Sequence, residues 1–142
     1  MKVLVMYTES FAYLPSEKTI PEAETIESGD AFNNCIVVFI HIEETDEEKD
    51  IPSREKKLVN HLKWTARKNN TDTIVLHSFA HLSDTKASFA FTKAIFDAAE
   101  MRLQNGGYQV AQTPFGYFLD LEIKAPGYSL ARIWASLWIL TF

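Results

Sequence analysis

One cysteine among 142 residues rules out an internal disulfide, and a lone Cys35 suits a reducing compartment better than a secreted scaffold. The five glycines are too scattered for a phosphate-cradling loop or a dinucleotide fingerprint, and Gly106-Gly107 ends a helical pattern instead of opening one. No Gly-x-Ser-x-Gly elbow is present, which argues against the common serine-hydrolase arrangement. No run reaches the roughly 20 apolar residues that span a bilayer; the nearest, Leu130–Phe142, contains Arg132. The opening Met1–Glu9 turns polar too soon for a signal peptide, so the expectation is a cytoplasmic protein without a membrane segment. Basic residues are not in excess: fourteen Lys and Arg against nineteen Asp and Glu give a net charge of −5. That balance excludes a protein that coats nucleic acid over its whole surface, while leaving room for a local basic face.

The remaining composition, 46% hydrophobic and 23% charged, is that of an ordinary globular chain, and the length accommodates one domain over residues 1–142. Val3–Tyr7 and Asn34–Ile42 are rich in β-branched and aromatic residues and read as strands, joined by a connection bearing Pro and Glu. Ser53 is positioned to cap a helix running to Lys68, with Leu58, Leu62 and Ala66 on its apolar face. Thr73–His77 reads as a third strand. A second helix opens at Asp84 or Thr85, with Ala87, Phe91, Ala94, Ile95, Ala98 and Met101 as its stripe. Tyr108–Ala111 and Tyr117–Lys124 read as strands flanking a Thr-Pro-Phe-Gly turn, and an apolar segment closes the chain. The order predicts a mixed α/β or α+β domain, a mixed sheet with packed helices. The acidic run Glu43–Asp50 reads as a solvated loop.

The densest polar constellation is Leu76–Asp84, which leaves a strand and enters a helix, where ligands gather in α/β proteins. His77 and His81 have the spacing of a helical metal pair, but a strand ending at His77 need not bring the rings together, so no metal is expected. Ser78 or Ser83 beside His81 supplies a nucleophile and a base only in outline. Cys35 opens an apolar strand and reads as core. Lys56, Lys63 and Arg67 fall on one side of the first helix, with Arg54, Lys57 and Lys68 nearby, a stripe able to neutralise phosphates. Trp134, Leu137, Trp138, Ile139, Leu140 and Phe142 exceed what a small domain's edge exposes, which predicts a homodimer, with a final core strand as the competing reading.

Two segments become specific together: Phe79-Ala80-His81-Leu82-Ser83 and Pro114-Phe115-Gly116-Tyr117. In this order and at this separation they resemble the amino-terminal editing domain of archaeal threonyl-tRNA synthetases, whose fold is similar to D-aminoacyl-tRNA deacylase. The likeness extends through Lys2-Val3-Leu4-Val5, Phe39-Ile40 with Glu43 and Asp46-Glu47, and Gly127 with Leu130-Ala131.

The resemblance implies a domain that hydrolyses the ester of serine wrongly attached to threonine tRNA. A methyl-sized difference between serine and threonine gives only about 1–3 kcal/mol of discrimination, so a second, correcting site is physically sensible. By the same analogy His81 is catalytic, with Ala80 bordering the ester. Pro114, Phe115, Gly116 and Tyr117 shape the amino-acid pocket, with Phe118 and Leu119 following. Independently of the resemblance, an acidic domain needs a concentrated basic face to approach phosphate, so Lys56, Lys63 and Arg67 are expected to meet tRNA. The implied partners are the aminoacylated tRNA 3′ end, a second copy and a threonyl-tRNA synthetase; no cofactor is implied. The family's synthetase and anticodon-binding domains would follow where this chain ends, so it is not expected to activate threonine with ATP. The chain departs from the family pattern where an aromatic residue and then Lys follow Pro-Phe-Gly-Tyr, since Phe118 and Leu119 stand there. Arg132 likewise replaces an acidic residue after the Leu-Ala pair. A missing lysine removes a charge that positions the ester or its oxyanion. Those departures motivate two alternatives, a noncatalytic tRNA-binding module and a deacylase for D-aminoacyl-tRNA.

Overall fold

The computed structural model describes residues 1–137. Two long strands, β1 (Lys2–Lys18) and β2 (Asp30–His41), pair antiparallel with Lys2 opposite His41 and Tyr13 opposite Asp30. A 3₁₀ turn over Glu44–Glu48 and α1 (Ile51–Lys68) lead to β3 (Thr73–Ser78), parallel to β2. Then α2 (Phe89–Asn105) crosses to β4 (Gln109–Gln112), parallel to β3. β5 (Tyr117–Lys124) returns antiparallel to the far half of β1, and β6 (Arg132–Ser136) antiparallel to its near end. The sheet order is β4-β3-β2-β1-β5, with β6 also on β1. The expected mixed sheet with packed helices is therefore present.

Burial explains the assignments. Cys35–Ile40 is buried residue after residue because β2 is covered on both faces, which is why its sequence runs apolar without alternation. One face carries Val3, Val5, Ile36, Val38 and Ile40 against Leu58, Leu62 and Ala66 of α1 and Ile95, Phe96, Ala99 and Leu103 of α2. The other carries Phe11, Val37, Phe39 and Val75, with Leu121 of β5 packed on them.

Both helices start elsewhere than the sequence predicts. Asp50, not Ser53, caps α1: its carboxylate accepts the Ser53 N–H at 2.7 Å. α2 begins at Phe89 under the hydroxyl of Ser88, because residues 84–87 are drawn across the sheet's edge, where Ala87 N–H donates to Ile42 O. The buried stripe of α2 shifts with its start to Thr92, Ile95, Phe96, Ala99 and Leu103. Met101 is 65% exposed, and Ala87 is buried outside the helix.

The acidic run is solvated only in part: Glu44, Thr45 and residues 47–50 are exposed, but Glu43 and Asp46 are buried. Asp46 is fully buried, where its carboxylate meets the guanidinium of Arg54, the α-ammonium of Met1 at 3.0 Å and the Glu43 N–H at 2.7 Å. Glu43 takes the same ammonium at 2.7 Å and Lys2 at 3.3 Å. Arg54 therefore belongs to the interior instead of the basic face. Leu137 is also interior at 8% exposure, its N–H bonded to Met1 O, whereas Trp134 of β6 is 58% exposed. Trp138, Ile139, Leu140 and Phe142 lie outside the described residues.

Removing one partner of a buried ion pair strands the other, at a cost of about 3–5 kcal/mol, whereas replacing both with apolar groups is far milder. Asp46→Asn is expected to lower stability by that amount in urea titration, and Asp46→Leu with Arg54→Met to recover most of it. A single variant as stable as the parent overturns the assignment.

Candidate active site

The carboxyl ends of the parallel strands β2, β3 and β4 lie along one edge of the sheet, the place where α/β folds leave room for a ligand. A cavity of about 480 Å³ opens there. Its lining joins His41, His77, Ala80 and His81 from the sheet's edge, Lys86 and Phe89 before and at the start of α2, and Pro114 through Leu119 from the turn into β5. Thr19 and Ile20 complete it. Extended, the 17 residues of β1 would reach about 55 Å. Lys2 faces His41, yet Thr19, just past the other end, shares a cavity with His41. The strand must therefore bend back over the sheet, and its pairing with β5 shifts register between Pro15 and Glu17.

A strap, residues 19–29, is fastened to the turn. Thr19 N–H donates to Gly116 O at 2.7 Å, and the Tyr117 hydroxyl accepts from Ile26 N–H at 2.9 Å while donating to Glu24 O at 2.7 Å. Gly116 has φ +84°, and a Cβ there would lie 2.8 Å from that of Ala23, so the turn admits glycine alone without rearrangement. Tyr117 thus lines the cavity while its hydroxyl holds the strap. The sequence reading treated the strap only as a connection.

Three histidines meet the cavity in different states. His41 was not singled out from the sequence, because it reads there as the end of an apolar strand. Its Nδ1 accepts the Leu82 N–H at 2.9 Å, so Nε2 carries the proton and donates to Thr85 O at 2.5 Å. The ring is neutral and serves to hold the loop carrying His81. His77 is buried, bonded through Nδ1 to the Thr113 hydroxyl at 2.9 Å and edge-on to Phe39, and burial pushes its pKa down to about 4. His81 is exposed, its ring standing edge-to-face on Phe79 at 4.9 Å. Among the described residues no group of three His, Cys, Asp or Glu is placed to share an ion.

Phe79 N–H donates to Ile40 O and Leu82 N–H to His41 Nδ1, which leaves the N–H groups of Ala80 and His81 between them without a partner among the described residues. Ser83 is no nucleophile candidate, since its hydroxyl donates to Glu43 at 2.6 Å. That bond and the Met1 ammonium hold the Glu43 carboxyl at about 2, against the pull of desolvation. Cys35 is buried beside the Thr8 hydroxyl, and burial raises its thiol pKa, as a core cysteine requires.

Alternation along β5 sets Tyr117, Leu119 and Leu121 half-buried on the cavity side and exposes Phe118. Leu119 therefore presents an apolar wall. Arg132 is outside the cavity, its guanidinium donating to Pro126 O at 2.7 Å. Lys56, Lys63 and Arg67 do not line it either. Arg67 stands by Asn34 and Asp72, and the Lys63 ammonium by Gly106, at the opposite end of the parallel strands.

The family model described as the archaea-specific editing domain of threonyl-tRNA synthetase matches residues 1–137. A threonine–tRNA ligase of Methanococcus maripaludis strain C7 is 31% identical over 134 residues, covering 94% of this chain and 21% of the relative. That of Hyperthermus butylicus is 30% identical over 141 residues, with 94% and 22% covered. The chain thus spans about a fifth of the length of these relatives. Among solved structures, the c-Myc DNA Unwinding Element Binding Protein superposes with a TM-score of 0.66 at 13% identity, covering 96% of this chain and 98% of that one. This likeness bears on the fold alone, and it matches the deacylase-like fold that the sequence predicts.

The histidine state sets a pH dependence. Unfolded, His77 takes up a proton as pH falls through about 6.5; folded, it resists until about 4. Its contribution is therefore complete above 6.5 and declines to a floor at 4, a loss of about 3 kcal/mol. Urea midpoints measured between pH 7 and 4 are expected to follow that decline, with the larger part absent from His77→Gln. Parallel pH profiles for the two proteins would refute the buried neutral state.

Proposed function

The chain belongs to the archaea-specific editing-domain family of threonyl-tRNA synthetase, and from that premise we propose that it hydrolyses seryl-tRNA(Thr) at the cavity described above. The observation that carries this reading is the convergence of Ala80 and His81 with Pro114–Leu119, more than thirty residues apart in sequence, on one cavity. The aminoacyl ester enters it with the serine side chain against the Pro114–Tyr117 turn, where the extra methyl of threonine meets Gly116 and the strap behind it. Water attacks the carbonyl carbon. The unpartnered N–H groups of Ala80 and His81 receive the oxyanion, and collapse returns free serine and the tRNA ribose hydroxyl. The neighbouring hydroxyl of the ribose takes the water's proton and passes it to the leaving oxygen. His81 orients the ester, so the protein's contribution is mainly positioning.

The alternatives keep the cavity and change its use. The apolar Leu119 wall, without a cation from β5, favours a noncatalytic tRNA-binding module; a D-aminoacyl substrate retains hydrolysis. Lys56, Lys63 and Arg67, none of which lines the cavity, would meet phosphates of the tRNA body. We also propose a homodimer with the β6 face at its interface, since Trp134 is 58% exposed there beside Leu130 at 38%. Sedimentation at micromolar concentration is expected to give twice the chain mass, and a monomer alone rejects it.

Single-turnover assays on seryl-, threonyl- and D-aminoacyl-tRNA separate the three readings. Seryl-tRNA(Thr) is expected to be hydrolysed selectively, about 10²-fold more slowly by His81→Ala. Substrate ending in 2′-deoxyadenosine should also react far more slowly, and Leu119→Lys should accelerate the reaction. Combined Ala substitution of Lys56, Lys63 and Arg67 should raise the substrate concentration required but not alter the rate at saturation. No hydrolysis above the protein-free control rejects both enzymatic readings.

A further inference from the structure

The cavity's charge is uneven in a way the proposed hydrolysis does not use. Among the described residues lining it, none is Asp or Glu, and Lys86 is the one Lys or Arg. His41 accepts the Leu82 N–H on Nδ1 and so is held as the neutral tautomer, and burial holds the His77 pKa at about 4. Lys86 is exposed, and no ion pair among the described residues holds it. Its backbone is fixed nonetheless, because the next residue donates to Ile42 O at 2.9 Å and is buried. The 17-residue α2 starts three residues later, and its first residue, Phe89, also lines the cavity. The positive end of that helix is already met by the Ser88 hydroxyl and by the Glu47 carboxylate, which accepts the Ser88 N–H at 3.0 Å, so Lys86 is the cation left for a ligand among the described residues that line the cavity. A cation without a carboxylate partner, on a fixed backbone at the rim of a cavity free of acids, is arranged for an anionic ligand.

We propose that Lys86 is a positioning residue that binds a phosphate at the cavity mouth, the 5′-phosphate of the nucleotide whose ribose carries the ester. This deepens the reading above and rests on it. The anionic group nearest an ester on a terminal ribose is that nucleotide's own 5′-phosphate, separated from the ribose ring by one methylene. An ammonium at the rim can hold it while the acyl group lies deeper, between Ala80 and Gly116. The ribose is then held at both ends, which limits the attitudes the carbonyl can take toward His81.

Binding of small, non-hydrolysable probes tests this without any turnover. One probe is 3′-serylamino-3′-deoxyadenosine and the other the same molecule with a 5′-phosphate, each titrated calorimetrically on the full chain. The parent protein is expected to bind the phosphorylated probe about tenfold more tightly, as a charged hydrogen bond allows. Lys86→Gln should erase the preference and Lys86→Arg retain it, with unchanged circular dichroism in both. Raising the salt concentration should narrow the preference in the parent only. Equal binding of the two probes by the parent overturns the Lys86 assignment and leaves the editing reading standing, as does a preference that survives in Lys86→Gln. Failure of both probes to bind rejects the phosphate site and the editing reading together.

Discussion

The Asp46 carboxylate is the junction on which the site depends. It is fully buried, a costly location for a charge, and it is tolerated because Arg54, the Met1 α-ammonium and the Glu43 N–H surround it. Through these partners one side chain ties the start of β1, the turn after β2 and the first turn of α1. Glu43 extends the junction to the site: it shares the Met1 ammonium and takes the Ser83 hydroxyl, so the loop bearing His81 is anchored to the same cluster. His41 fixes that loop a second time, through Leu82 and Thr85. The loop is thus pinned at both ends, with the Ala80 and His81 N–H groups unpartnered between the two ties.

A site built in this way works with few charged groups. Its histidines next to the core are neutral by tautomer or by burial, its β5 wall is leucine, and the side chains nearest the turn are engaged in holding the strap. What remains for a ligand is backbone N–H, an exposed imidazole and one ammonium at the rim. Such a cavity discriminates by shape. Gly116, pressed against Ala23 and locked at positive φ, leaves no slack for the turn to yield to an extra methyl. That rigidity is the physical basis on which the proposed rejection of threonine rests.

Much of the architecture is legible in local pattern, because burial imposes periodicity. The β2 run, the Leu58-Leu62-Ala66 stripe and the Tyr117–Lys124 strand were readable for that reason. The helix starts were not. Ser53 and Thr85 are acceptable caps in isolation, and the choice of Asp50 and Ser88 follows from where the preceding segments are tied to the sheet. The acidic run misled for a related reason: a string of carboxylates signals solvent unless their buried partners, here Arg54 and the Met1 ammonium, are known to lie within reach. His41 went unnoticed because a histidine ending an apolar strand carries no sequence mark of lining a cavity.

By itself the sequence determined the class of fold, the lack of an internal disulfide and the two short segments that identify the family, since each depends on residue type and near-neighbour order. The tertiary structure alone decided that those segments face each other across one cavity. It also decided that the basic stripe on α1 lies away from that cavity, and that Lys86, unremarkable in the chain, stands at its mouth. These are relations between residues far apart in sequence. They follow from the bend that carries β1 back over the sheet, and no local pattern encodes where a bent strand ends.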